Sequence, residues 1–199
     1  MKNILPRLRY WVLAAGLLLA APALWSCNSS TTYQQQLADH ENQLKGIDEE
    51  IIQTYLKDNN LLDKATRTNS GLYLVSIADG SGPVITTGKQ VLVKYVGRFL
   101  SNGAHPESSG YPASPGNPAF PAGAIFDNSS DKGTACGCVP FTVGNNTKGF
   151  DEGLLQMHKG DRKLLLVPSR LAYGPSGAGS SIPPDSALMF DVEIIDVSQ

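Results

Sequence analysis

Hydrophobic and polar positions along the chain change rhythm several times, and each change marks a different element. Lys2, Arg7 and Arg9 precede an apolar run from Tyr10 to Ala21. That run is short for a bilayer span and has the charged start of a secretory signal peptide over residues 1–26. Across 33–68, Leu37, Leu44, Ile47, Ile51, Tyr55 and Leu62 recur at helical spacings, with Asp48, Glu49 and Glu50 on the other faces. Gly46 is expected to divide this helical segment. Two readings of its stripe stay open: it packs on its own domain, or it pairs two copies of the chain through 33–62.

From Gly71 the period drops to two. Leu72–Ile77 reads as a strand closed by Gly80-Ser81-Gly82-Pro83. Val91, Val93, Tyr95 and Phe99 share one face of a second strand, with Lys94 and Arg98 on the other. Leu164–Val167 and the alternation of Leu188, Phe190, Val192 and Ile194 supply two more. Between them Phe150, Leu154 and Met157 define the buried face of a short helix. Asp151 and Glu152 suit its first turn, His158 and Lys159 its last, and Gly160 its C-cap. The pattern predicts an α+β domain over 69–199, a mostly antiparallel sheet with one helix packed across it. Residues 101–124 interrupt it. Five prolines (Pro106, Pro112, Pro115, Pro118, Pro121) alternate there with glycines, so neither ladder nor helix is expected and a mobile loop is the reading.

Composition narrows the function. With 199 residues, 41% hydrophobic, the chain holds one ordinary domain plus appendages. A net charge of -2 points away from nucleic acid and from direct membrane attraction. Residues 1–26 carry three basic and no acidic side chains, so without them 13 basic residues face 18 acidic ones, a net of -5. His40, His105 and His158 stand far apart in sequence, and no metal or cofactor is expected.

Leu24-Trp25-Ser26-Cys27 resembles a bacterial lipobox. The resemblance implies diacylation of Cys27, a tether over 27–32, and a protein exported and lipid-anchored in the bacterial cell envelope, facing the periplasm. The anchor would be its only membrane contact. A plain signal peptide cut elsewhere and an uncleaved anchor are the competing readings. For Cys136-Gly137-Cys138 three readings stay open: a local disulfide, free thiols, or a metal or redox site.

Several short motifs then occur in a fixed order. They are Val93-Lys94-Tyr95-Val96-Gly97, Ile125-Phe126-Asp127-Asn128-Ser129, Gly149-Phe150-Asp151-Glu152-Gly153-Leu154, Val167 to Gly174, and Ile182-Pro183-Pro184 followed by Leu188 to Glu193. Together they resemble the FKBP-type peptidyl-prolyl cis-trans isomerase domain over roughly Val84 to Gln199. The resemblance implies an antiparallel twisted sheet wrapped around one short helix, here preceded by an N-terminal helical segment. It also implies a proline pocket: Tyr95, Phe126, Asp127, Phe150, Tyr173 and Phe190 as the catalytic set, with Phe141, Thr147 and Ile182 binding substrate. The partners implied are proline-containing polypeptides. Two features depart from the family pattern. Asn146 and Thr147 stand where a Val-Ile pair is usual, in a loop about two residues shorter, and the 101–124 insertion ends just before Phe126.

Such a pocket needs no nucleophile. Rotation about a peptide bond has a barrier of ~18–20 kcal/mol because resonance is lost on twisting. The twisted amide is less polar than the planar one, so an apolar cavity favours it, which is catalysis by differential binding. Periodicity alone assigns Phe150 and Phe190 to core positions; only the order of motifs assigns them to a pocket. The rival functions are a non-catalytic binding or chaperone module of the same fold, and a structural envelope lipoprotein that uses the proline-rich loop as its contact.

Overall fold

The computed structural model describes residues 29–108 and 110–198, with side chains from residue 32 onward. The basic leader, the apolar run and Cys27 lie outside the described residues. The frame is one antiparallel sheet. Strands β1 (Ala65–Arg67), β2 (Tyr73–Ala78) and β3 (Gln90–Phe99) are followed by a separate two-stranded ladder, β4 (Ala104–His105) and β5 (Ser114–Pro115). Then come β6 (Ile125–Asn128), β7 (Val139–Thr142), β8 (Arg162–Val167) and β9 (Leu188–Val197). The strand order is β1-β2-β8-β9-β3-β6, with β7 also on β3. One edge of β3 pairs with β9 along its length; the other is shared, Gln90–Val93 with β7 and Val96–Arg98 with β6.

Both faces of the sheet are covered. On one face lies the short helix α2 (Lys148–Leu154), whose Phe150 and Leu154 join Leu72, Val93, Tyr95, Leu165, Phe190 and Val192 in the main core. Two glycines set how close it lies. A Cβ at Gly153 would meet Leu165 Cδ1 at 2.4 Å, and one at Gly149 would meet Val167 Cγ1 at 2.5 Å. The helix is shorter than the sequence suggests. It stops at Leu154, so Met157, His158 and Lys159 lie beyond it in the chain that leads to β8, although Met157 keeps its expected burial.

The long helix α1 (Ser29–Asp58) covers the opposite face. Ile52 and Leu56 pack with Tyr73, Val75, Leu100, Leu166, Ala187 and Met189 in a second core. Three expectations change here. The helix runs through Gly46 without a break, and it takes in Ser29 to Thr32, expected as tether. Its buried row is His40, Leu44, Asp48, Ile52 and Leu56, a set of i, i+4 neighbours, whereas Leu62 is 43% exposed. Such a row forms the ridge that α-helices press into a groove. Apolar periodicity missed it because two of the five residues are polar. Asp48, assigned to an outer face, is buried and accepts from the Ser169 N–H and hydroxyl, both at 2.8 Å. Glu49 adds a clasp at the rim, accepting from the Tyr73 hydroxyl and from Arg67 Nε at 3.1 Å.

The proline-rich insertion is ordered, contrary to the loop expected. Positive-φ glycines at 103, 110 and 116 turn the chain so that Ala104–His105 and Ser114–Pro115 pair. Phe120 then packs against Phe99 with ring centroids 5.4 Å apart, and Gln43 of α1 donates to the Glu107 carbonyl at 3.2 Å. No described helix is long and apolar enough to cross a membrane.

Candidate functional site

An aromatic cavity of about 440 Å³ opens between α2 and the concave side of the sheet. Tyr95 of β3, Phe126 and Asp127 of β6, Phe141 of β7, Phe150 of α2 and Phe190 of β9 line it together with Tyr173 and the Asn145 to Thr147 loop. Phe150 lies at the centre of the ring contacts. Its centroid is 5.1 Å from Phe141, 5.2 Å from Phe190 and 6.4 Å from Tyr95, all tilted or edge-on, the arrangement aromatic quadrupoles favour. Phe126 closes the far side, 5.6 Å from Phe190. Its ring lies over Gly97, where a Cβ would meet Phe126 Cζ at 2.6 Å, so the glycine of β3 makes room for this wall.

The polar groups stand at the rim. Asp127 accepts from the Tyr95 hydroxyl at 2.6 Å, from its neighbour's Asn128 N–H at 2.9 Å, and pairs with Lys132 at 2.7 Å. Burial disfavours its charge, yet the Lys132 ammonium and the Tyr95 hydroxyl outweigh it and hold the carboxyl below its ordinary range. Burial, then the Asp127 carboxylate, push the Tyr95 phenol well above the usual range, and Tyr173 shifts the same way for the same reasons. Both phenols therefore remain neutral hydroxyl donors. Tyr173 is 38% exposed and stands at the mouth.

The Asn146-Thr147 pair has a definite role. The Asn146 amide donates to Asp151 at 2.7 Å and to the Thr142 carbonyl at 3.0 Å, and its N–H donates to Asp151 at 2.9 Å. Asn146 thus braces the β7 turn against the first turn of α2. Thr147 is the N-cap residue, in extended conformation, and its carbonyl accepts from the Asp151 N–H at 3.0 Å. Its own N–H has no acceptor among the described residues, at the wall of the cavity.

Eight of the nine residues assigned from sequence line this cavity. The ninth, Ile182, does not: it is buried in the main core beneath the loop that follows Tyr173, where its carbonyl and N–H pair with Ala178. Asn145 and Asn146 line the cavity without having been assigned to it. Their signal was present in the shortened loop. Cys136 and Cys138 are joined as a disulfide next to β7, with Cα atoms 5.2 Å apart.

Comparison with known proteins agrees with this geometry. Residues 82–195, more than half of the chain, match the family described as FKBP-type peptidyl-prolyl cis-trans isomerase. The chain is 30% identical over 194 residues to the macrophage infectivity potentiator of Trypanosoma cruzi, an alignment that spans 96% of this chain and 86% of that one. It is 35% identical over 134 residues to FK506-binding protein 4 of Dictyostelium discoideum, across 65% of this chain but only 29% of that protein. Among solved structures, FkpA from Escherichia coli superposes with a TM-score of 0.57 at 24% identity, covering 85% of this chain and 64% of that one, a likeness of fold.

Proposed function

The chain belongs to the FKBP-type peptidyl-prolyl cis-trans isomerase family, and from that premise we propose that it catalyses rotation about X-Pro bonds in exported polypeptides, with the aromatic cavity as its active site. The observation that carries this reading is the combination of an aromatic cage around Phe150 with a backbone donor at Thr147 that has no acceptor among the described residues. The proline ring rests on Phe150. Phe126, Phe141 and Phe190 exclude water, so the planar, more polar amide loses solvation that the twisted amide needs less. The Thr147 N–H and the Tyr173 hydroxyl hold the carbonyls flanking the proline. Asp127 has both oxygens engaged, by Tyr95 and Lys132, so its charge is fixed in place beside the rotating carbonyl.

Thr147 allows a clean test. Its φ of -63° is the angle proline imposes, so Thr147→Pro deletes the N–H without changing φ at that position, and circular dichroism checks that Asn146, which a following proline restricts, leaves the fold intact. Loss of one positioned donor is expected to lower kcat/KM by about 10²-fold, within the range seen for oxyanion-type donors. Thr147→Ala, which keeps the N–H, is expected to retain near wild-type rates, because the threonine side chain makes no cap hydrogen bond. Equal rates in both variants would remove Thr147 from the site.

A second reading has support in one observation. Asn146 replaces an apolar wall with a polar brace, which suits a module that holds proline-containing chains without turning them over. Slow isomerisation with intact peptide binding would favour it. The lipobox-like Leu24 to Cys27 supports anchoring in the cell envelope through lipid on Cys27. Labelled fatty acid that is incorporated by the wild type but not by Cys27→Ala is the expected result. Equal labelling would refute the anchor.

A further inference from the structure

We propose that His40, His105 and Asp185 form a binding site for one divalent transition-metal ion of the zinc type, outside the aromatic cavity. The three come from separate parts of the chain: the middle of α1, the β4 strand of the insertion, and the segment before β9. His40 and Asp185 are 145 positions apart in sequence. The three side chains are nonetheless almost fully enclosed, His40 at 1%, His105 at 7% and Asp185 at 4% exposure.

The spacing fits a metal. His40 Nε2 and His105 Nε2 lie 3.0 and 3.3 Å from the same oxygen, Asp185 Oδ2, and all three ligand atoms fall within 4.8 Å of one another. A tetrahedral zinc ion with bonds near 2.0–2.1 Å holds its ligand atoms roughly 3.3 Å apart. Two imidazoles and a carboxylate are a ligand set that suits zinc and its neighbours better than magnesium or calcium.

The hydrogen bonds around the cluster point the same way. His105 Nδ1 lies 2.9 Å from the Pro106 carbonyl, which can only accept, so Nδ1 carries a proton. With Nδ1 so engaged, the ring presents its other nitrogen, Nε2, to Asp185 Oδ2 at 3.3 Å, the atom through which it would reach a shared ion. His40 Nδ1 is held by the Ser108 hydroxyl at 2.7 Å, the outer contact that metal-bound imidazoles usually have, and Tyr111 stacks on the ring at 4.0 Å. The second carboxylate oxygen, Asp185 Oδ1, is buried with no hydrogen-bond partner among the described residues. A proton on His105 would leave that atom unserved, whereas a metal ion is able to take both oxygens of the carboxylate. Asp185 also sits at φ 58°, a conformation rare outside glycine, and its N–H donates to the Gly174 carbonyl at 2.9 Å. An ion here fastens α1 and the insertion to the loop that begins at Tyr173.

The test uses the purified full chain, stripped with chelator and titrated with Zn²⁺ alone, then with Co²⁺ as a spectroscopic probe. One Zn²⁺ per chain, tetrahedral Co²⁺ absorption and a thermal midpoint raised by several degrees are expected. His105→Gln and Asp185→Asn, checked for folding by circular dichroism and by retained X-Pro isomerisation, are expected to bind at least ~100-fold more weakly. A folded wild-type chain that binds no Zn²⁺ overturns the proposal. So does binding of equal strength in both variants, which would place the ion elsewhere. Histidine NMR showing a doubly protonated His105 in the metal-free chain, with no change on adding Zn²⁺, would replace the metal by a proton.

Discussion

Replacing Phe150 with alanine is expected to lower kcat/KM for a short X-Pro peptide by about 10²-fold or more, which corresponds to ~2.7 kcal/mol of lost transition-state stabilisation. Phe150 is 4% exposed, and its ring touches Tyr95, Phe141 and Phe190, so its loss removes the surface on which those walls meet. The loss should fall mainly on kcat, because a wetter cavity solvates the planar amide better than the twisted one and so raises the barrier. The substitution also opens a core void that costs about 3–5 kcal/mol of stability. Phe150→Leu controls for this. It keeps most of the volume, should melt cooperatively, and is expected to retain more activity than alanine while remaining below wild type. A folded Phe150→Ala chain with wild-type kinetics would mean that the cavity is not where the reaction occurs.

The second large effect concerns how α1 is held. Asp48 lies under the helix, and burial raises its carboxyl from 3.8 to about 6. The two bonds from Ser169 and the charge of Arg170 oppose the rise without cancelling it, while Asp185 adds to it. A carboxyl whose folded value exceeds its unfolded value binds an extra proton in the folded state. Its contribution to stability is therefore full below pH ~4 and is lost as pH rises through ~6. A shift of this size corresponds to about 3 kcal/mol at neutral pH. Asp48→Asn keeps an oxygen for both Ser169 donors and cannot ionise. Thermal melts of wild type and variant are expected to coincide near pH 4. At pH 7.5 the variant should melt roughly 6–12 °C higher, at the usual 2–4 °C per kcal/mol for a chain of this size. A variant less stable than wild type at pH 7.5 would show that the charge on Asp48 is favourable where it lies.

The same two regions show what could be read from the sequence. Strands that alternate along most of their length, such as Gln90–Phe99 and the Phe190–Ile194 part of Leu188–Val197, were legible because their apolar positions share the face of the main core. The face of α1 was misjudged because His40 and Asp48 occupy buried positions, where only a tertiary partner (Asp185 for one, Ser169 for the other) makes a polar side chain tolerable. In the insertion, prolines argued against a ladder, yet Pro115 lies in β5, a strand of only two residues that pairs on one side alone. The aromatic cavity was legible only through the order of its motifs. Phe126, Phe150 and Phe190 are core-like by period, and nothing in period distinguishes a ring that faces a cavity from one that faces another ring. Ile182 shows the limit of that transfer: its position matched, and its side chain went into the core. The His40–His105–Asp185 cluster had no sequence signal, since its members share no motif and meet only when three distant segments fold together.

The most direct measurement is two-dimensional NMR exchange spectroscopy on a short peptide with one X-Pro bond, mixed with a few per cent of the full chain. Uncatalysed exchange takes tens to hundreds of seconds. Cross-peaks between the cis and trans resonances within sub-second mixing times, absent with Phe150→Ala, are the expected result. Peptide resonances that broaden or shift on binding while cis and trans remain unexchanged would contradict catalysis and leave a protein that holds proline-containing chains without turning them.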